Sequence, residues 1–354
     1  MAKILIVRLG AMGDILHALP AVTGIRAALP EATIGWMVDE KWTEILAAAG
    51  TAISGAVDRS RPVVNRIHYV NTREWRSRMF RAGTASVIKE AMRTVRAEQY
   101  DVALDFQGAI KSSVLARLSG ASARAGFVTP RESAARFLYS ERYIRIGEHV
   151  IEQNTGLAAQ ALKRFTSHAE IKLLAPQLPL DPAAESWADA EIQRLGIAGF
   201  AMMNPGAGWG AKQWPPQRYG EVARALSVHG LKTLVNAAPG EESLARQMIE
   251  AAGGNAFMIR STIGQLIALT RRARLFVGGD TGPLHLAAGL GIPTVGLFGP
   301  TDPARTGPFG TKCVALRHPE SQTTFSHHRE TEPGLLKITA EETIAAARRL
   351  LGGR

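Results

Sequence analysis

Cysteine is almost missing from the chain: Cys313 stands alone among 354 residues. That excludes an internal disulfide and a cysteine-rich metal site, and it suits a reducing compartment. No apolar run approaches the roughly 20 residues of a membrane span. The chain opens on Lys3-Ile-Leu-Ile-Val-Arg8, a strand-length run closed by a charge, which does not read as a signal peptide. The dinucleotide fingerprint G-x-G-x-x-G is also missing. The turn after the first strand reads Leu9-Gly-Ala-Met-Gly-Asp14, so a nicotinamide cofactor has little support. The acidic residues contain no Asp-x-Asp pair of the kind that carries a divalent ion in many sugar-nucleotide enzymes. These gaps predict a cytosolic, soluble protein that works without a resident cofactor or metal.

What is present is an excess of positive charge. The formal net charge is +11, and between Arg59 and Arg96 ten Lys/Arg face two Glu. Such a segment reads as a solvated surface, as a basic arm for nucleic acid, or as a docking face for an anionic lipid or acidic glycan. Charge alone does not choose among them. Trp75, Met79 and Phe80 lie within it and either pack internally or form an apolar edge that dips into a membrane interface.

Apolar strand-length runs alternate with helical periodicity, the pattern of an α/β protein. Lys3–Arg8, Thr33–Val38 and Asp101–Asp105 read as strands, and Arg124–Phe127 as a short strand or turn, of a first domain over 1–165. Pro176, Pro179 and Pro182 mark a linker over 166–182. The pattern restarts with Phe200–Met203, followed by the glycine-rich loop Asn204–Trp214, and continues through a second domain over 183–338. Each half begins with a strand that enters a glycine-rich turn. Thr339-Ala-Glu-Glu342 is a capping box that opens a final helix, 339–354. The segment 311–338 fits no clear pattern. Its adjacent His327 and His328 have no third ligand nearby in sequence, so it reads as a polar loop.

The stretch from Val277 to Asp302 reads strand, turn, helix, strand, turn. Asp280 and Thr281 suit a helix N-cap, Pro283 the first turn, and Gly291 and Pro293 the stop. Such a helix start offers free N–H groups and partial positive charge to an anion. It is equally an ordinary capped turn. Asp14 has the same ambiguity: it caps the helix 15–28, or it is a carboxylate placed for chemistry.

Seven separated stretches decide the reading: V-R-L-G-A-M-G-D-I-L-H-A-L-P, D-F-Q-G-A-I-K-S, R-A-G-F, G-A-G-W-G-A-K-Q-W-P, P-G-E-E, D-T-G-P-L-H-L-A-A and F-G-P-T-D-P. In this order, over about residues 1–310, they resemble the ADP-heptose lipopolysaccharide heptosyltransferases of glycosyltransferase family 9, most closely heptosyltransferase I. The resemblance implies a GT-B fold, two Rossmann-like domains facing across a cleft. The acceptor is held mainly by the first and the nucleotide sugar by the second, with the last helix packing back on the first domain. It implies inverting, metal-independent transfer of L-glycero-D-manno-heptose from ADP-heptose to Kdo of Kdo2-lipid A. The partners would be that donor, that anionic lipid and the inner face of the inner membrane, met peripherally by a monomer; no nucleic acid is implied.

The same resemblance carries roles. Asp14 in M-G-D is the base, and Gly13 beside it is an acceptor-side residue. Lys212 places its charge near the departing ADP. Gly206, Thr281, Gly282 and His285 serve the donor, and Asp280 faces the sugar hydroxyls. Glu241, with Glu242 one step away, suits the ribose. Arg61, Arg66, Gln107, Lys111 and Arg124 are acceptor-side candidates, because arginine forks match carboxylates and phosphates. Kept beside this are heptosyltransferase II or a transferase using another sugar, a sugar-nucleotide epimerase, and a non-catalytic protein that binds an anionic lipid, glycan or nucleic acid.

Overall fold

The computed structural model describes the chain apart from residues 72–73, 76–83, 167–169, 311, 325–328 and 353–354. It divides into two compact units, Met1–Leu180 and Asp181–Arg354. In the first, short apolar runs form β1 (Lys3–Val7), β2 (Thr33–Val38), β3 (Arg66–Tyr69), β4 (Val102–Asp105), β5 (Ala123–Phe127) and β6 (Glu141–Tyr143). All pair in parallel, in the order β3-β2-β1-β4-β5-β6. Ile4, Leu5, Ile6 and Val7 are wholly buried. That is the expected state of a central strand covered by helices on both faces.

The second unit repeats the plan with β7 (Phe200–Asn204), β8 (Lys232–Asn236), β9 (Ala256–Ile259), β10 (Leu275–Gly279), β11 (Thr294–Phe298) and β12 (Cys313–Arg317). Their order is β12-β11-β10-β7-β8-β9, again parallel. Counted within each unit, both sheets have the doubly wound order 3-2-1-4-5-6. The core of the second unit gathers Met203, Trp214, Tyr219, Val222, Leu226 and Val277.

The segment 171–180 belongs to the first unit. Gly24 in helix Met12–Ala28 makes room for it: a Cβ there would lie 2.1 Å from the Lys172 carbonyl oxygen. The Gln177 N–H donates to Thr23 Oγ1 at 3.2 Å and the Leu180 N–H to the Arg59 carbonyl at 2.8 Å. Asp181 then caps helix Pro182–Leu195 and opens the second unit.

The final helix, Ala340–Leu350, starts with the expected capping box. Ala340, Ala346 and Ala347 join the core of the second unit, and the helix lies against helix Pro216–Ser227 and strand β11. Trp214 and Arg218 fasten its approach by donating to the Ile338 carbonyl at 3.0 and 2.7 Å. Trp75, partly buried, packs against the first-unit cluster of Leu9, Val70 and Met92. Met79 and Phe80 lie outside the described residues. No described helix is long and apolar enough to cross a membrane.

Candidate active site

In a doubly wound sheet, ligands bind beyond the C-terminal strand ends, where the strand order reverses. That point lies between β1 and β4 in the first unit and between β7 and β10 in the second.

In the first unit, the β1 exit supplies Arg8 and then helix Met12–Ala28, with Asp14 in its first turn. Asp14 Oδ2 accepts the Ala11 N–H at 3.2 Å, and Oδ1 pairs with Arg8 Nη2 at 2.6 Å. The Asp14 side chain stays 40% exposed while that of Arg8 is 9% exposed. From the β4 exit, the Phe106 carbonyl accepts from Arg8 Nη1 at 2.8 Å, and Gln107 Oε1 accepts the Leu9 N–H at 3.1 Å. The β4 turn is itself organised by Asp105, which is fully buried. Its carboxylate accepts from the Gln107 and Gly108 N–H groups and from the Ser112 and Tyr139 hydroxyls, at 2.7 to 3.1 Å. Burial raises the Asp105 carboxyl above its ordinary value and those four donors oppose the rise.

In the second unit, Lys212 and Asp280 meet across the reversal point. Lys212 Nζ lies 2.5 Å from Asp280 Oδ2 and 4.8 Å from the centre of the Trp209 ring. Asp280 Oδ1 lies 3.0 Å from His285 Nε2. Burial alone would raise the Asp280 carboxyl. His285 and Lys212 outweigh it and hold the group well below the usual carboxylate range. Gly279 permits the close approach of the two loops, since a Cβ there would lie 3.0 Å from the Lys212 carbonyl. Thr281 is the N-cap of helix Gly282–Gly289, yet its side chain makes no cap bond. Its Oγ1 is buried without a partner. A buried unpartnered hydroxyl beside free first-turn N–H groups is a place for an anion.

Beyond the β7 and β8 ends, Gly206 lies against Glu241: a Cβ on Gly206 would fall 1.9 to 2.2 Å from the Glu241 carboxyl atoms. Burial, with Glu242 adding, raises the Glu241 carboxyl, against a backbone bond from Ala238. Beside it runs a row of short polar side chains. Ser261 donates to Asn236 Oδ1 at 3.3 Å, Asn236 to Asn204 Oδ1 at 2.9 Å, and Asn204 to the Gly206 carbonyl at 2.8 Å.

The profile of glycosyltransferase family 9 (heptosyltransferase) matches residues 88–335. The chain belongs to that family. Lipopolysaccharide heptosyltransferase 1 of Pseudomonas aeruginosa is 29% identical over 326 residues, covering 89% of this chain and 83% of the relative. The protein of that name in Escherichia coli K12 is 28% identical over 326 residues, covering 90% and 94%. Among solved structures, E. coli heptosyltransferase WaaC with ADP superposes with a TM-score of 0.76 at 24% identity, covering 98% of this chain and 99% of WaaC. A second WaaC structure holds ADP-2-deoxy-2-fluoro heptose, with a TM-score of 0.73 and 24% identity over 96% and 97% of the two chains. E. coli ADP-heptose lps heptosyltransferase II superposes with a TM-score of 0.73 at 21% identity, over 99% and 98%. The GT-B fold class expected from the sequence is the fold of this heptosyltransferase.

Against the sequence reading, the structure brings Asp14, Gly13, Gln107 and Lys111 to one sheet edge, with Lys111 exposed in the first turn of helix Ile110–Leu118. It brings Lys212, Asp280, Thr281, Gly282 and His285 to the corresponding edge of the second unit, with Gly206 and Glu241 beside them. Glu242 instead bonds the Gly240 N–H and faces Arg260, so Glu241 is the residue that meets the glycine loop.

Three acceptor-side candidates bond within the first unit. Arg61 is 3% exposed, and its guanidinium donates to the Ala52 and Ala56 carbonyls, so it braces its own loop. Arg66 pairs with Glu98 at 2.9 Å, beside Lys3 at the N-terminal edge of the sheet, away from Asp14. Arg124 donates to the Leu138 and Ala121 carbonyls. Arginine forks suit backbone carbonyls as well as anions, and composition cannot tell the two apart. Arg73, Arg76, Arg78, Arg81, His327 and His328 lie outside the described residues. The sequence reading missed Arg8, Asp105, Asn204 and Asn236. Their only signal was position, each at or just after a strand end of a parallel sheet.

Proposed function

We propose that this heptosyltransferase moves L-glycero-D-manno-heptose from ADP-heptose to a Kdo residue of Kdo2-lipid A, inverting the anomeric carbon without a metal ion. The observation that carries the donor side is the buried Lys212–Asp280–His285 cluster next to the unpartnered Thr281 hydroxyl. It combines a cation and free N–H groups for a diphosphate with a carboxylate able to accept sugar hydroxyls. The WaaC relative that holds an ADP-heptose analogue supports the same donor. Glu241, at its close approach to Gly206, would accept from the ribose hydroxyls.

In this reading the acceptor hydroxyl oxygen bonds to C1 of the heptose as the C1–O bond to the diphosphate breaks. The bonding pair leaves on ADP, and the hydroxyl proton goes to the exposed carboxylate of Asp14. Lys212 shifts from Asp280 toward the developing phosphate charge, and the Thr281 and Gly282 N–H groups share it. Gln107 and Lys111, on the Asp14 edge, serve the acceptor. The enzyme would work as a monomer at the cytoplasmic face of the inner membrane.

The test is ADP release from purified protein, ADP-heptose and Kdo2-lipid A in the presence of EDTA. Release with Kdo2-lipid A supports the proposal. Release only with an already heptosylated core would move the enzyme to the heptosyltransferase II reaction, and release with neither would overturn the donor–acceptor assignment.

A further inference from the structure

Among the described residues Asp14 is the carboxylate bonded to Arg8, and Arg8 is held as if that contact mattered. Its backbone carbonyl accepts the Trp36 indole N–H at 3.0 Å. Its Nη1 is fixed on the Phe106 carbonyl, leaving Nη2 aimed at Asp14 Oδ1. Nε is buried without a partner, so the guanidinium spends its contacts at its outer end. A guanidinium stays charged at all ordinary pH values. A buried one depends on its counter-ion, while the Asp14 carboxylate still reaches solvent. The side chain therefore ties the β4 turn, organised by Asp105, to the first turn of the next helix.

We propose that Arg8 is a positioning residue for the transfer reaction: it fixes the orientation of the Asp14 carboxylate. Oδ1 is committed to Arg8 and Oδ2 accepts one backbone N–H, which leaves the exposed lone pairs of both oxygens in a defined direction. This rests on Asp14 being the base of the proposed reaction.

Other titratable groups surround the pair. His17 is one turn further along the same helix, and its ring meets that of His149, at the start of helix Val150–Leu162, edge-on at 5.6 Å. Glu152 lies in the first turn of that helix, and Asp105 closes β4. Asp39 follows β2, its N–H on the Leu9 carbonyl, with Glu40 and Lys41 next in the chain. Lys111 is exposed on the β4 side.

The experiment compares wild type, Arg8→Gln and Arg8→Lys by two readouts. The first is a crystal structure of each variant: in Arg8→Gln the Asp14 carboxylate should turn away from its wild-type direction. The second is the split between kcat and KM, with kcat in Arg8→Gln reduced at least tenfold and donor KM unchanged. Arg8→Lys should also lose kcat, because an ammonium cannot hold Phe106 and Asp14 in fork geometry. An Asp14 carboxylate in its wild-type orientation in Arg8→Gln would overturn the proposal, and so would Arg8→Lys at wild-type kcat. The crystal structures need no turnover, so that readout stands even if the sugar or acceptor assignment fails.

Discussion

Lys212→Met removes one partner of a pair whose side chains are only 12% and 8% exposed. Asp280 then keeps His285 alone, on its other oxygen. Breaking a buried pair from one side costs ~3–5 kcal/mol, because the remaining charge has lost its compensation. The surviving histidine and the residual exposure of Lys212 put the expectation at the lower end, about 3 kcal/mol. With a urea slope of about 2 kcal/mol/M for the transition, the midpoint falls by about 1.5 M. Tryptophan fluorescence is the assay, since Trp209 lies beside the lysine and Trp214 in the same core. The pH dependence has a definite sign. The Asp280 carboxyl is depressed when folded, so its contribution is present above the ordinary aspartate value near ~4 and fades as pH falls toward the folded value. The difference between wild type and Lys212→Met should shrink correspondingly below about pH 4. Lys212→Met/Asp280→Asn should recover most of the stability but no turnover. A midpoint shift below ~0.3 M for Lys212→Met, or strictly additive effects in the double variant, would refute a coupled buried pair.

Asp14→Asn should lower kcat by roughly 10²–10⁴ while leaving ADP affinity, measured calorimetrically, unchanged; a parallel loss of ADP binding would contradict its assignment to the acceptor chemistry. Arg61→Ala should cost about 1–3 kcal/mol of stability through the unpaired Ala52 and Ala56 carbonyls, with acceptor KM unaltered once the folded fraction is equalised. Gly206→Ala places a Cβ about 2 Å from the Glu241 carboxyl, so donor KM should rise several-fold, with the midpoint of urea unfolding nearly unchanged if the carboxylate swings aside.

How much of this could be read from the chain depends on how local each signal is. Strands such as Lys3–Val7 and Phe200–Asn204 are buried runs closed by glycine turns, and both were evident. β6, Glu-Arg-Tyr, was not, because a three-residue edge strand has neither apolar run nor alternation to reveal it. β12 escaped for a related reason: it is the outermost strand of its sheet and only half-buried. The final helix was legible from Thr339 and Glu342, but its destination was not, since an alanine-rich stripe fits many surfaces. The site divided in the same way. Asp14, Lys212 and Asp280 lie in recognisable motifs. Arg8 and Asp105 take their meaning from partners 6 and 34 residues away or more, at Asp14 and Tyr139.

Charge count alone says little about which contacts an arginine makes. Arg61, Arg66 and Arg124 were selected as anion ligands, yet each spends its guanidinium on a carbonyl or on Glu98. The two charge pairs proposed for the chemistry instead sit where the backbone leaves the sheet. Both sheets reverse order between their first and fourth strands, and each reversal point holds a cation bonded to an aspartate, Arg8 with Asp14 and Lys212 with Asp280. The two pairs differ in burial. Asp14 stays open to solvent and Asp280 does not, which fits one carboxylate exchanging a proton and the other holding its charge while substrate hydroxyls and a phosphate compete for its partners. In the proposed mechanism the same topological position thus takes opposite roles, and the difference follows access to water rather than residue type.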